Sequence, residues 1–143
     1  MRTPSEEPGP RRLDAVAYVL SSRILLHPTD LETSRAFYRD ALGLEVYREF
    51  GTGSTRGTVF FLGGGFLEVS GRSGSPAAEG MELWLQVPDV AAAHVEFTSR
   101  GVTVLRAPLR EPWGLLEMWI SDPDGVRICV VEVPADHPLR YRP

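Results

Sequence analysis

Two rhythms of apolar and polar positions run along this chain, and their succession occurs twice. A short apolar run from Ser22 to His27 ends at Pro28 and reads as a strand. Asp30 then opens a helix in which Leu31, Ser34, Phe37, Tyr38, Ala41 and Leu42 recur at helical spacing until Gly43. Period-two segments at Glu45 to Phe50, Thr58 to Leu62 and Phe66 to Ser70 follow, separated by glycine-rich turns. After the Ser, Gly and Pro-rich stretch from Gly71 to Gly80 the plan returns. A strand at Met81 to Val87 precedes a helix from Asp89 to Arg100, with Val90, Ala93, His94 and Phe97 on one stripe. Strands at Val102 to Arg106, Leu115 to Ser121 and Val126 to Val133 complete it, the last two joined by the turn Asp122-Pro123-Asp124-Gly125.

The two capping aspartates, Asp30 and Asp89, lie 59 residues apart, and the two helix-ending glycines, Gly43 and Gly101, lie 58 apart. One βαβββ unit used twice explains both offsets. The expected fold is therefore α+β, with two βαβββ modules forming a curved mixed sheet that encloses a cavity. Residues 1–21 are expected to be a disordered or extended arm, with Leu13 to Ser21 as a possible added edge segment. Residues 22–71 form the first module, 81–133 the second and 134–143 a tail.

With 143 residues and 43% hydrophobic composition the chain can bury a core without disulfide or structural metal. The net charge of −4 argues against a nucleic-acid partner, and the six-residue apolar stretch Ala15 to Leu20 is too short for a membrane span or a signal-peptide core. The single Cys129 excludes an internal disulfide and suits a reducing, cytoplasmic setting.

Candidate chemistry lies where polar side chains interrupt apolar strands. Arg23 and His27 share one parity in the first strand, and Glu68 stands between Leu67 and Val69. Glu82 shares its parity with Trp84 and Gln86, which makes an aromatic wall if Glu82 faces a cavity. Trp113 and Trp119 are core or rim residues, Glu117 pairs locally, and Glu132 has the opposite parity to Cys129. No GxSxG, CxxC, P-loop or dinucleotide fingerprint occurs.

The segment Asp30-Leu31-Glu32-Thr33-Ser34-Arg35-Ala36-Phe37-Tyr38 leading to Leu42-Gly43-Leu44, with Pro112-Trp113-Gly114 and Ser121-Asp122-Pro123-Asp124-Gly125, resembles the vicinal oxygen chelate superfamily over roughly Ser22 to Val133. That superfamily includes glyoxalase I, bleomycin-binding resistance proteins, fosfomycin-modifying enzymes and extradiol dioxygenases. Its enzymes hold a divalent metal with one His or Glu from each of four strands. The resemblance puts Arg23, Glu68, Glu82 and Cys129 at those positions. A guanidinium donates no lone pair and repels a divalent ion, so Arg23 stands in for the metal. If Glu68 and Glu82 converge on it, an ion-paired pocket results.

The resemblance thus implies a metal-free protein binding a small organic molecule through Arg23, His27, Glu68, Glu82, Trp84 and Trp113, with neither metal nor other cofactor, and with a homodimer sharing the cavity. The alternative is a lyase, isomerase or dioxygenase in which His27, Glu68 and Glu82 hold Mn, Fe, Ni or Zn. A third is a scaffold module with its cavity filled.

Overall fold

The computed structural model describes residues 17–76 and 79–141. Its strands are β1 (Arg23–Leu26), β2 (Val46–Phe50), β3 (Gly57–Leu62), β4 (Gly65–Ser70), β5 (Glu82–Gln86), β6 (Thr103–Arg110), β7 (Leu116–Ser121) and β8 (Arg127–Glu132). They form two four-stranded sheets with the same plan, β1-β4-β3-β2 and β5-β8-β7-β6. In each, the first strand runs parallel to the fourth and the other neighbours are antiparallel.

Both helices start as the repeated aspartate requires. The Asp30 carboxylate accepts the amide hydrogen of Thr33 at 3.0 Å ahead of α1 (Leu31–Ala36), and Asp89 does the same for Ala92 at 3.0 Å ahead of α2 (Val90–Ser99). At the far ends Gly43 and Gly101 take left-handed backbone, at φ +73° and +79°, where a side chain is strained. The first helix passes into a π-helical turn over Phe37–Ala41, closed by the Leu42 amide on the Phe37 carbonyl at 2.9 Å. Glu132 faces away from Cys129 and accepts the Val90 amide hydrogen at 3.0 Å, a further cap for α2.

One expectation failed at β6, which runs four residues past Arg106 and through Pro108. Proline is tolerated there because β6 is a sheet edge and its register already shifts twice against β7. Residues 17–21 contain no strand, and the rest of the expected N-terminal arm lies outside the described residues. In the expected tail, Pro138–Tyr141 make a 3₁₀ turn.

Alternation assigns the two faces of each sheet. Leu26, Phe60, Leu67 and Val69 from the first sheet and Leu83, Met118, Ile120, Ile128 and Val130 from the second join Tyr38, Val90 and Phe97 of the helical segments in one continuous core. The sheets thus share a core through their helix-covered faces, and their helix-free faces turn away from it. Polar bonds clasp the modules where that core closes. The Tyr38 hydroxyl donates to Asp122 Oδ2 at 2.7 Å, and the Thr29 amide donates to Asp124 Oδ2 at 2.8 Å. Asp122 Oδ1 accepts the amides of Asp124 and Val126, both at 2.8 Å. The turn read from sequence as a hairpin connection therefore also joins the halves. Burial raises the Asp122 pKa above its ordinary value, opposed by the Tyr38 hydroxyl and these amides. Burial and the facing Asp122 also keep the Tyr38 phenol protonated.

Candidate functional site

On the helix-free face of the first sheet, Arg23 Nη1 donates to Glu68 Oε1 at 2.8 Å, and the Ser70 hydroxyl donates to Glu68 Oε2 at 2.6 Å. The Ser70 hydroxyl, and after it Arg23, hold the Glu68 carboxyl below the usual range against partial desolvation. Phe66 lies beside this pair and packs at 4.9 Å from Tyr47 and 5.6 Å from Phe61, giving an aromatic floor. Tyr47 and Phe61 are exposed. His27 lies at the end of the same face, its Nδ1 2.7 Å from the Ser70 carbonyl, and contacts neither Arg23 nor Glu68 through a hydrogen bond.

Glu82 is not held by Arg23. It pairs with Arg127, whose Nε donates to its Oε2 at 2.9 Å on the helix-free face of the second sheet. The correction has a simple cause: the β5–β8 register sets Glu82 directly opposite Arg127, and the two faces diverge from the shared core. Each face thus carries one Arg–Glu pair across its parallel strands, an edge strand and its neighbour, with the charges exchanged. Arg127 also lies over the Trp119 ring, 4.7 Å from its centroid. Spacing held a clue, since Arg23 and Glu68, like Glu82 and Arg127, are 45 residues apart.

Trp84 is half exposed beside Glu82, and Trp113 is half exposed on the turn after β6. The Trp113 indole donates to Glu117 Oε2 at 2.7 Å, so Glu117 does pair locally. His137 reaches back from the tail to place Nε2 3.1 Å from the Trp113 carbonyl. Its Nδ1 accepts the Leu139 amide, which assigns the Nε2-protonated tautomer. Cys129 donates its thiol to Glu117 Oε1 at 3.5 Å, and its pKa is pushed up to about 12 by burial and by Glu117.

A cavity of about 450 Å³ opens at the seam between the modules. Phe61 and the Gly63-Gly64 turn form one wall, Trp84 and Gln86 the other, and Leu42, Leu44 and Phe97 lie deeper. Among the described residues, nothing beyond the adjoining chain neighbours lies within 4 Å of where a Cβ on Gly63 or Gly64 would stand, so this turn adds no side chain to the mouth. The cavity therefore joins the aromatic floor of one face, through Phe61, to the tryptophan of the other.

The residues at the four positions implied by the resemblance do not fit a divalent metal. Arg23 is a cation already occupying Glu68, Glu82 is taken by Arg127, and Cys129 is a protonated thiol. Among the described residues no three His, Cys, Asp or Glu side chains are grouped so as to hold one, and His27, Glu68 and Glu82 are not such a group. No helix among them is long and apolar enough to cross a membrane.

A profile of the Glyoxalase/Bleomycin resistance protein/Dioxygenase superfamily matches residues 21–130. A member of that superfamily from Sphaerobacter thermophilus DSM 20745 is 26% identical, with a TM-score of 0.62 over 80% of this chain and 97% of its own. A protein of unknown function from Agrobacterium tumefaciens str. C58 is 27% identical, with a TM-score of 0.65 over 78% of this chain and 92% of its own. TnmS3, an antibiotic binding protein from Streptomyces sp. CB03234, shares the fold at 21% identity, with a TM-score of 0.70 over 84% of this chain and 100% of its own. None of the curated proteins matches significantly.

Proposed function

Because the chain belongs to the Glyoxalase/Bleomycin resistance protein/Dioxygenase superfamily, whose fold hosts several chemistries, we propose from its own residues that it binds a small, flat organic molecule without metal chemistry, in the manner of a resistance protein that sequesters a drug or metabolite. The observation that carries this reading is the seam cavity of about 450 Å³ between Phe61 and Trp84. That volume suits a drug-sized ligand, and an aromatic side chain from each module in its lining favours a planar one. The ion pairs Arg23–Glu68 and Glu82–Arg127 lie outside the cavity lining, on the helix-free faces that carry Phe61 and Trp84. The antibiotic-binding neighbour of the same fold is consistent with this use.

The reading includes a homodimer in the cytoplasm, with the helix-free face of the first sheet in one copy set against that of the second sheet in the other. Complementary charge argues for this occupant. The first face sets Arg23 and Arg48 against the single carboxylate of Glu68, whereas the second sets Glu82, Glu111 and Glu117 against Arg106 and Arg127. Exposed Leu25, Tyr47 and Phe61 supply apolar area to cover.

Trp84, Trp113 and Trp119 all lie on the second face or its rim, so intrinsic fluorescence reports the site. Titrating a panel of planar polycyclic drugs is expected to quench it saturably, with Trp84→Ala and Phe61→Ala each weakening affinity about tenfold. Protein purified without chelators is expected to hold no stoichiometric metal. Retained metal that is lost in His27→Ala, together with turnover of a vicinal-oxygen substrate, overturns the proposal in favour of a metal-dependent lyase, isomerase or dioxygenase.

A further inference from the structure

Resting on the binding function above, we infer that the second helix-free face carries a subsite for a protonated amine, with Glu117 as its counter-ion, so that the preferred ligands are aromatic molecules bearing a cationic nitrogen. Glu117 is only 6% exposed, yet neither of the side chains on its carboxylate is a cation. Oε2 accepts the neutral indole N–H of Trp113 and Oε1 accepts the neutral thiol of Cys129. The neighbouring charges are already matched to one another. Arg127 is spent on Glu82 at 2.9 Å, and Arg106 on Glu111 at 2.5 Å. Arg106 does touch Glu117, but at its backbone carbonyl, 3.0 Å away. Three carboxylates against two guanidiniums leave one negative charge over, and it resides at Glu117.

Geometry makes this surplus usable. A carboxylate offers about four lone-pair directions, and the two donors on Glu117 take one on each oxygen. A ligand ammonium would use one of those that remain. The surroundings suit a cation as well. Trp113 caps the carboxylate, and Trp119 already carries the Arg127 guanidinium over its ring. Across the sheet the order Trp84, Cys129, Trp119 is set by register, and Cys129 touches Glu117. Glu117 thus lies about two strand spacings, on the order of 10 Å, from the Trp84 wall of the cavity, within reach of a short alkyl arm on a stacked ring.

A matched pair of probes tests this: 2-(2-naphthyl)ethylamine, protonated at neutral pH, and 2-(2-naphthyl)ethanol, its neutral counterpart, each titrated by calorimetry. In the wild-type protein the amine is expected to bind at least tenfold more tightly than the alcohol. Glu117→Gln, close in shape and uncharged, is expected to abolish the amine's preference, the two probes binding that variant with equal affinity. Glu117→Asp keeps the charge and serves if the Gln variant does not fold, with the preference narrowed but present. Equal binding of both probes by the wild type overturns the amine subsite and leaves small-molecule binding standing. So does an amine preference that survives Glu117→Gln, which would put the cation elsewhere. Binding of neither probe, nor of any planar compound, overturns the underlying function and the subsite with it.

Discussion

The two modules share one plan but differ in how much of it each face retains. Their helix-covered faces match closely: an aspartate cap, a helix ended by a left-handed glycine, and a parallel first and fourth strand around one core. Their helix-free faces do not match. The first is an aromatic floor of Tyr47, Phe61 and Phe66 with one ion pair, and the second bears tryptophans, two ion pairs and a buried carboxylate without a cation. A repeated unit is held to type where the copies must pack together and is free to diverge where they face outward. The chemistry of this protein therefore resides in the difference between its halves.

The sharpest way to break the comparison is at the two hairpin turns that close the modules. Asp122 satisfies a phenol and two amides, so Asp122→Ala is expected to cost about 3 kcal/mol in denaturant unfolding, and Tyr38→Phe about 1 to 2 kcal/mol. Its counterpart, the Gly63-Gly64 turn, touches nothing around Gly64, which has no left-handed φ, so Gly64→Ala is expected to stay within about 0.5 kcal/mol. Equal costs would mean that the clasp is not what joins the modules.

A smaller effect separates the two charge pairs. Reversing Arg23→Glu alone is expected to weaken self-association several-fold in sedimentation, and adding Glu82→Arg to restore it, because opposing faces of two copies would again be complementary. Failure of the double variant to recover would remove the charge argument for the dimer.

The smallest effect is on titration. Glu68 is held below 4.5 chiefly by the Ser70 hydroxyl and secondarily by Arg23, so NMR titration should find its pKa raised more by Ser70→Ala than by Arg23→Gln. The sign for stability follows: its contribution is present above about pH 4.5 and is lost as pH falls through the lower folded value. Asp122 acts in reverse, because burial raises its pKa. Its contribution is present below 3.8 and is lost as pH rises through the folded value.

The succession of elements, both caps and the duplicated plan were legible because they depend on local spacing and on residues whose backbone demands are strong, such as Asp30, Asp89, Gly43 and Gly101. Parity grouped Arg23 with His27, set Glu68 apart from Leu67 and Val69, and grouped Glu82 with Trp84 as cavity candidates, whereas the structure sets them on two helix-free faces that diverge. Partner choice was not legible, since Glu82 could meet Arg23 or Arg127 depending on whether the two faces converge, and that is set by how the helices pack. Asp122 and Asp124 read as turn formers, and nothing within the turn disclosed that Tyr38 and Thr29, 84 and 95 residues earlier, end on them. Glu117 read as locally paired, which is correct for its indole and thiol but hides the missing cation.

The clasp also imposes an order on biosynthesis. Residues Thr29 and Tyr38 leave the ribosome long before Asp122 and Asp124 exist, so the first module must wait, with a phenol and an amide unserved, until most of the second has been made. A stalled or truncated chain ending before Asp122 would present that incomplete surface to chaperones and proteases, and quality control would read the Asp122–Gly125 turn as the mark of a closed first module.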